Sequence, residues 1–338
     1  MKKAYLFLSI ALACAMVGCD QKPSTQVSDN GEKQMEQNDE KQSTPNLGFV
    51  EDGQLKFYEV QSGKTEVFTQ ETDSIVDAVC TTNGIVYYNA IANNRLILKS
   101  MDMNANNPIP ESLADWGLDL TATKENVFSP YGNMYLNIDQ NLIGLEVDIT
   151  WFAGPCYNLA IYDCSSKTIS KTILYQFNEE VGTMDFFDEE NNFKVYAPEA
   201  NFDIGRFEDS DGFYYLNDSQ KICLNDQLKE MEDMGDFEVE YEHDPIELDP
   251  SGKKLLFATS TYLGDGLLGF FAVSSLDGKS QIALSNSDVM GARPQWLSNG
   301  SLVYTGIEYE SDTDALFLMD TNGSIRSIAH TNTFFVLP

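Results

Sequence analysis

This chain has few histidines, few basic residues and no closely paired cysteines. Its 338 residues include two His, His243 and His330, and 21 Lys and Arg stand against 53 Asp and Glu, a formal net charge of −32. Such an acidic surface repels nucleic-acid phosphates and anionic bilayers, which argues against nucleic acid as a partner and against unaided docking on a membrane. No Cys-x-x-Cys pair occurs, so the spacing of a structural zinc site is missing. The Gly-x-Ser-x-Gly nucleophile elbow is also absent, which removes the usual signature of an α/β-hydrolase. A His-based triad could draw only on His243, in an acidic connector, or His330, at the end of a strand-like run. Both read as ordinary surface or edge histidines. Beyond Gly18 there is no long apolar run and no long amphipathic helical pattern.

The N-terminus is the exception. Lys2 and Lys3 precede an apolar, Ala-rich run at 4–17, and Gly18-Cys19 follows, the layout of a secretory signal peptide. Residues 16–19, MVGC, resemble the bacterial lipobox, which implies cleavage before Cys19 and lipidation of that cysteine as a stable membrane anchor. Asp20 resembles the enterobacterial inner-membrane retention signal, but sorting rules differ between bacteria and the leaflet stays open. The expected location is the bacterial cell envelope, periplasmic or at the outer surface. Loss of residues 1–18 takes Lys2 and Lys3 with it, so the charge moves from −32 to −34. Residues 19–46 then form the anchor and a disordered tether, almost free of sizeable apolar residues and reaching roughly 30 Å. Four cysteines remain: Cys80, Cys156, Cys164 and Cys223. If residues 156–164 form one strand, its end cysteines lie about 26 Å apart, beyond bridging reach. Buried free thiols are the plain reading for all four.

From residue 47 to 338 the chain is β-rich. Apolar runs, mostly short, end on Gly, Asn or Asp, a pattern of antiparallel hairpins. A turn with Gly, then an alternating aromatic-aliphatic strand, recurs as TTNGIVYY, SPYGNMYL, DPSGKKLLF and LSNGSLVYT. Outer turns fall at QSGK, SSKT, LDGK and TNGS, and the repeat averages about 49 residues, a propeller-like period. The expected fold is an all-β propeller of six blades, each of four antiparallel strands. Seven blades result if residues 209–212 form a separate inner turn. The first unit lacks an inner strand and the C-terminal run TFFVL has no blade of its own, so the C-terminal strand is expected to complete blade one and close the ring.

Residues 294–300, PQWLSNG, with the strands after them, resemble the Pro-x-Trp-Ser-Pro-Asp-Gly repeat of TolB-type propellers. Residues 249–254, DPSGKK, and 129–132, SPYG, resemble the same turn. The resemblance implies that Trp296 packs between blades and that Gly300 accommodates the turn, with Asn299 in place of the family's Asp. Only residues 245–330 match closely. A tether stands where soluble TolB has a separate α/β domain, so an equivalent role in the Tol-Pal system is not implied.

Candidate sites are sparse. Glu308, Glu310, Asp312 and Asp314 alternate in the last blade, and oxygen ligands of this kind suit Ca²⁺, although the spacing is not that of an EF-hand. The loop at Asp265 is its nearest analogue in the preceding blade. Asp119, Asp185, Asp203 and Asp249 fall near expected inner strands, where channel carboxylates could support a glycan-active hydrolase or lyase. Turn capping and solvated strand ends are the plain readings. Residues 140–156 form an unusually apolar insertion that either lengthens blade strands or presents Trp151 and Phe152 to a partner. No catalytic residue and no cofactor is assigned. The expectation is a lipid-anchored, non-enzymatic propeller that holds an envelope protein or a small ligand.

Overall fold

The computed structural model describes residues 46–122, 127–151, 155–174, 193, 213–217, 220–223, 242–263, 266–276, 280–284, 287, 292–308 and 311–338. No helix occurs among them. The first sheet contains β1 (Leu47–Glu51), β2 (Gln54–Glu59) and β3 (Lys64–Val67). The second contains β4 (Ser74–Cys80), β5 (Ile85–Ala92), β6 (Arg95–Asp102) and β7 (Glu111–Asp119). The third is β8 (Ser129–Leu136), β9 (Leu142–Trp151), β10 (Pro155–Asp163) and β11 (Thr168–Leu174). A hairpin, β12 (Phe213–Asn217) and β13 (Gln220–Cys223), follows. The fourth sheet is β14 (Glu242–Leu248), β15 (Lys254–Leu263), β16 (Gly266–Ser275) and β17 (Gln281–Ala283). The fifth is β18 (Gln295–Trp296), β19 (Leu302–Glu308), β20 (Thr313–Met319) and β21 (Ile325–Ala329), and β22 (Phe334–Val336) ends the chain.

Each four-stranded sheet is an antiparallel meander in chain order except the first, whose order is β22-β1-β2-β3. Val336, Phe335 and Phe334 pair with Leu47, Gly48 and Phe49. The C-terminal run therefore supplies the strand that the first unit lacks, as expected. Gly48 is required by contact: a Cβ there would lie 2.1 Å from the Phe335 ring.

Successive sheets pack face to face through separate apolar layers. Val50, Leu55 and Phe57 of the first meet Ile75, Val86 and Tyr88 of the second. Leu96, Leu98 and Trp116 continue onto Met134, Ile143 and Leu145 of the third. Leu256, Phe271 and Val273 of the fourth meet Trp296, Tyr304 and Phe317 of the fifth. The fifth in turn packs Leu297, Val303 and Leu318 against Leu47, Phe49 and Tyr58 of the first, across the two ends of the domain. Each large side chain so buried contributes about 1.5–3 kcal/mol, and most of the core lies between sheets.

One turn recurs between the first and second strands of sheets. In the second sheet Thr81 N–H donates to Ile85 O (2.9 Å) and Gly84 N–H to Thr81 O (3.0 Å). Asp249 with Lys254, and Leu297 with Ser301, repeat the first bond at 2.9 and 2.8 Å. Gly84, Gly252 and Gly300 sit at φ of 81°, 67° and 83°. A side chain is disfavoured in that left-handed region.

The third sheet departs from the expected phase. Residues 129–132 are not its inner turn but the start of β8, bulged between Tyr131 and Met134. The equivalent turn lies at 137–142, where Asn137 N–H donates to Leu142 O (3.1 Å) and Gln140, not Gly, takes the positive φ of 55°. Residues 142–151 and 155–156 belong to paired strands, so these parts of the apolar insertion lengthen the sheet. In the second sheet residues 111–119 form the outermost strand, although Asp119 was expected near an inner one. Its weak pattern has a reason: β7 pairs with β6 through two register shifts, and alternation does not survive them. Five four-stranded sheets and one hairpin are thus described. The meander order, the layered packing and the shared central cavity described below define a β-propeller.

Candidate functional site

The first strands of all five four-stranded sheets converge on one cavity of about 600 Å³. Val79 and Cys80 come from β4, Met134 and Leu136 from β8, Glu247 from β14, Trp296 from β18 and Phe335 from β22. A propeller places its inner strands this way because each sheet twists outward from a common axis, so their inward side chains must share the centre.

Apolar residues form much of the wall, and the polar groups at it and behind it fall into two kinds. The first kind is fully used by the backbone. The bulge in β8 removes Asn133 and Met134 N–H from regular pairing, and a buried donor needs an acceptor. Glu146 on β9 accepts from Asn133 N–H (2.9 Å) and from the Tyr135 hydroxyl (2.7 Å). Asp77 on β4 accepts from Met134 N–H (2.6 Å) and from Ala78 N–H (2.8 Å), the former a bond from one inner strand to the next. Asp77 keeps some exposure but is crowded by protein. That crowding pushes its carboxyl up to about 6, against the opposing pull of Met134 and Ala78 N–H and of the Arg293 charge. The close fit extends to Gly132, where a Cβ would lie 2.1 Å from Glu146 Oε2.

The second kind is unused. Glu247 on β14 lines the cavity, is half-buried, and has neither a hydrogen-bond nor an ion-pair partner among the described residues. Burial alone raises its carboxyl above the ordinary range. Arg293, just before β18, enters the same wall and interacts with Asp77 through its charge. Trp296 nearby is 9% exposed, and its indole N–H is buried without an acceptor among the described residues. Cys80 also faces the cavity, but burial pushes its thiol up to about 12. Such a thiol is a poor nucleophile at neutral pH.

The carboxylates singled out in the sequence are placed elsewhere. Asp119 ends an outermost strand and is exposed, its carboxylate accepting from Thr121 N–H (3.0 Å). It was expected near an inner strand because β7 was not recognised. Asp249 caps its own turn: its Oδ1 accepts from Lys253 and Lys254 N–H, both at 2.7 Å. Burial tends to raise its carboxyl, but the Ser251 hydroxyl and these N–H groups outweigh it and hold the group low. Asp185 and Asp203 lie outside the described residues. Asp77, Glu146 and Glu247 were missed, since one carboxylate per strand at unequal offsets leaves no repeat to detect.

In the last blade Glu308 ends β19, and its carboxylate lies 3.6 Å from His330 Nδ1. Asp312 occupies the turn at φ 52°, and Asp314 accepts from the Asn332 amide (2.9 Å). Glu310 and the loop at Asp265 lie outside the described residues, and no group of three or more potential ligand side chains is gathered among those described. Trp151 is the last residue of β9, and Phe152 lies outside the described residues. His243 belongs to β14, paired with Thr259. Cys80 and Cys164 are free thiols, whereas Cys156 and Cys223 occupy β10 and β13.

No family model and no curated protein matches this chain. Solved structures similar to it include TolB from Acinetobacter baumannii, at 9% identity and a TM-score of 0.29. That match covers 86% of this chain and 54% of the other, so the chain spans just over half of that protein's length. A putative TolB from Agrobacterium tumefaciens matches at 13% identity and a TM-score of 0.35, over 87% of this chain and 97% of the other. The β-propeller domain of the trilobed protease from Pyrococcus furiosus matches at 10% identity and 0.30, over 85% and 82%. These neighbours are TolB and other propeller proteins; the fold assignment itself stands on strand pairing.

Proposed function

We propose that this protein is a lipid-anchored, non-enzymatic propeller of the bacterial cell envelope that binds a ligand in its central cavity. The supporting observation is the cavity itself. It has the volume of a small-molecule site, is lined by inner strands of five sheets, and carries polar groups that the fold does not use. Rigid strands hold such groups in place without loop ordering on binding. The anchor rests on Lys2, Lys3, the apolar run and Gly18-Cys19, with Cys19 as the lipidated residue.

A thermal-shift screen of small metabolites against the wild type and a cavity-filling Val79→Trp variant tests the binding reading. A compound that raises the melting temperature of the wild type alone supports it. Equal shifts in both proteins place binding elsewhere and overturn it. Chemical conversion of such a compound would favour the competing reading, a glycan-active hydrolase or lyase. For the anchor, Cys19→Ser should abolish incorporation of a labelled fatty acid and release the protein from membranes. Retained label would overturn the lipidation assignment.

A further inference from the structure

We propose that the central cavity takes a small organic cation with an apolar body, an amine or a quaternary ammonium. This rests on reading the cavity as a ligand site and names the chemistry of that site's ligand. Three features converge. Glu247 faces the cavity half-buried, with no hydrogen-bond or ion-pair partner among the described residues. A carboxylate held at a wall without a partner is costly to the fold, and a cation supplied from outside offsets that cost. Arg293 does not supply it: no Arg293–Glu247 ion pair forms within 4.0 Å, and the Arg293 charge acts on Asp77. Glu247 is thus a carboxylate at the wall that no side chain among the described residues pairs with. Trp296, Phe334, Phe335 and Tyr135 line the same space. Aromatic faces attract cations, most strongly where water is scarce. The apolar remainder, from Val79, Met134, Leu136 and Leu337, suits a hydrocarbon body and offers nothing to a second charge. A net charge of −32 also raises the local concentration of cations around the whole domain.

The test is calorimetric titration of the full chain with three probes of similar shape: phenethylammonium, 3-phenylpropionate and 3-phenylpropanol. The ammonium should bind, and the carboxylate should not. Glu247→Gln should weaken the ammonium about tenfold or more, as expected for a lost charge-assisted hydrogen bond, and leave the alcohol unchanged. Arg293→Gln should strengthen the ammonium by about threefold, because a like charge has gone. That opposite sign separates the proposal from general damage to the cavity. Preferential binding of the alcohol or the carboxylate, competed out by Val79→Trp, would overturn the cation assignment while leaving the cavity a ligand site. Failure of all three probes would overturn the cation assignment and count against the cavity reading too. Ammonium binding unaffected by Glu247→Gln would also overturn it.

Discussion

Two groups of charged side chains in this molecule face the same problem of partial burial and solve it differently. Between the first and second sheets, Lys99 Nζ donates to Glu71 Oε2 (2.9 Å) and Asp73 Oδ2 (2.7 Å), and the Tyr88 hydroxyl donates to Glu71 as well (2.7 Å). Every charge there has its partner within the protein. At the central cavity Glu247 has none among the described residues, although it too is half-buried. The paired cluster ties the loop before β4 to β6 and serves the fold. The unpaired carboxylate adds no bond to the fold among the described residues and carries a burial cost, and it stands at the wall of a space large enough for a ligand. Here partnering, more than burial, separates the two.

The strongest way to break this contrast is to remove the cation from the paired cluster. Lys99→Met should cost about 3–5 kcal/mol, since Glu71 would keep its burial and lose its counter-charge. Denaturant melts of the two proteins measure this, and a loss under about 1 kcal/mol would show the cluster to be solvated. Next, Gly48→Ala drives a methyl group into the Phe335 ring and should cost about 1–3 kcal/mol. Increased proteolysis after residue 330 should accompany it, because β22 would loosen from β1.

pH separates two carboxylates with opposite signs. Burial tends to raise Glu71, but Asp73 N–H, Lys99 and Tyr88 outweigh it and hold the folded carboxyl below 4.5. Its contribution is present above that value and lost as pH falls through the lower folded value. Asp77 is raised from 3.8 to about 6, so the folded state binds its proton more tightly than the unfolded chain does. Its contribution is largest below 3.8 and declines as pH rises towards 6. Asp77→Asn should therefore gain on the wild type in melting temperature as pH rises through this window. A difference that stays flat with pH would refute the raised value. Smallest of all, Glu247→Gln should leave stability unchanged or raise it slightly, by no more than about 0.5 kcal/mol, since the charge is only half-buried. A large loss would make Glu247 structural and dissolve the comparison.

The strand pattern was legible where alternation was clean. The Gly turns at 84, 252 and 300 mark true inner turns. The pairing of 334–336 with blade one followed from counting strands alone. Legibility failed at the third sheet, where Gln140 replaces the turn Gly and a Gly-containing SPYG lies inside a bulged strand. It failed again at β7, whose register shifts erase the period, and so Asp119 was assigned to the wrong edge of its sheet. Trp296 was legible as an inter-blade aromatic through the resemblance of 294–300 to the TolB-type repeat, and it packs between the fourth and fifth sheets.

The sequence by itself determined that the chain builds short antiparallel sheets in series and that its last strand belongs with its first. Hydrophobic alternation and turn residues act over a few neighbouring positions, so they are written locally. Which carboxylate reaches the central cavity is a tertiary matter. Glu247 lines a cavity shared with inner strands of four other sheets, and Asp77 on β4 is capped from β8 of the next sheet. Whether such a group is capped by a backbone N–H, as Asp77 is by Met134, or left open, as Glu247 is, depends on long-range register and on a bulge. Neither is encoded in the residues adjacent to it.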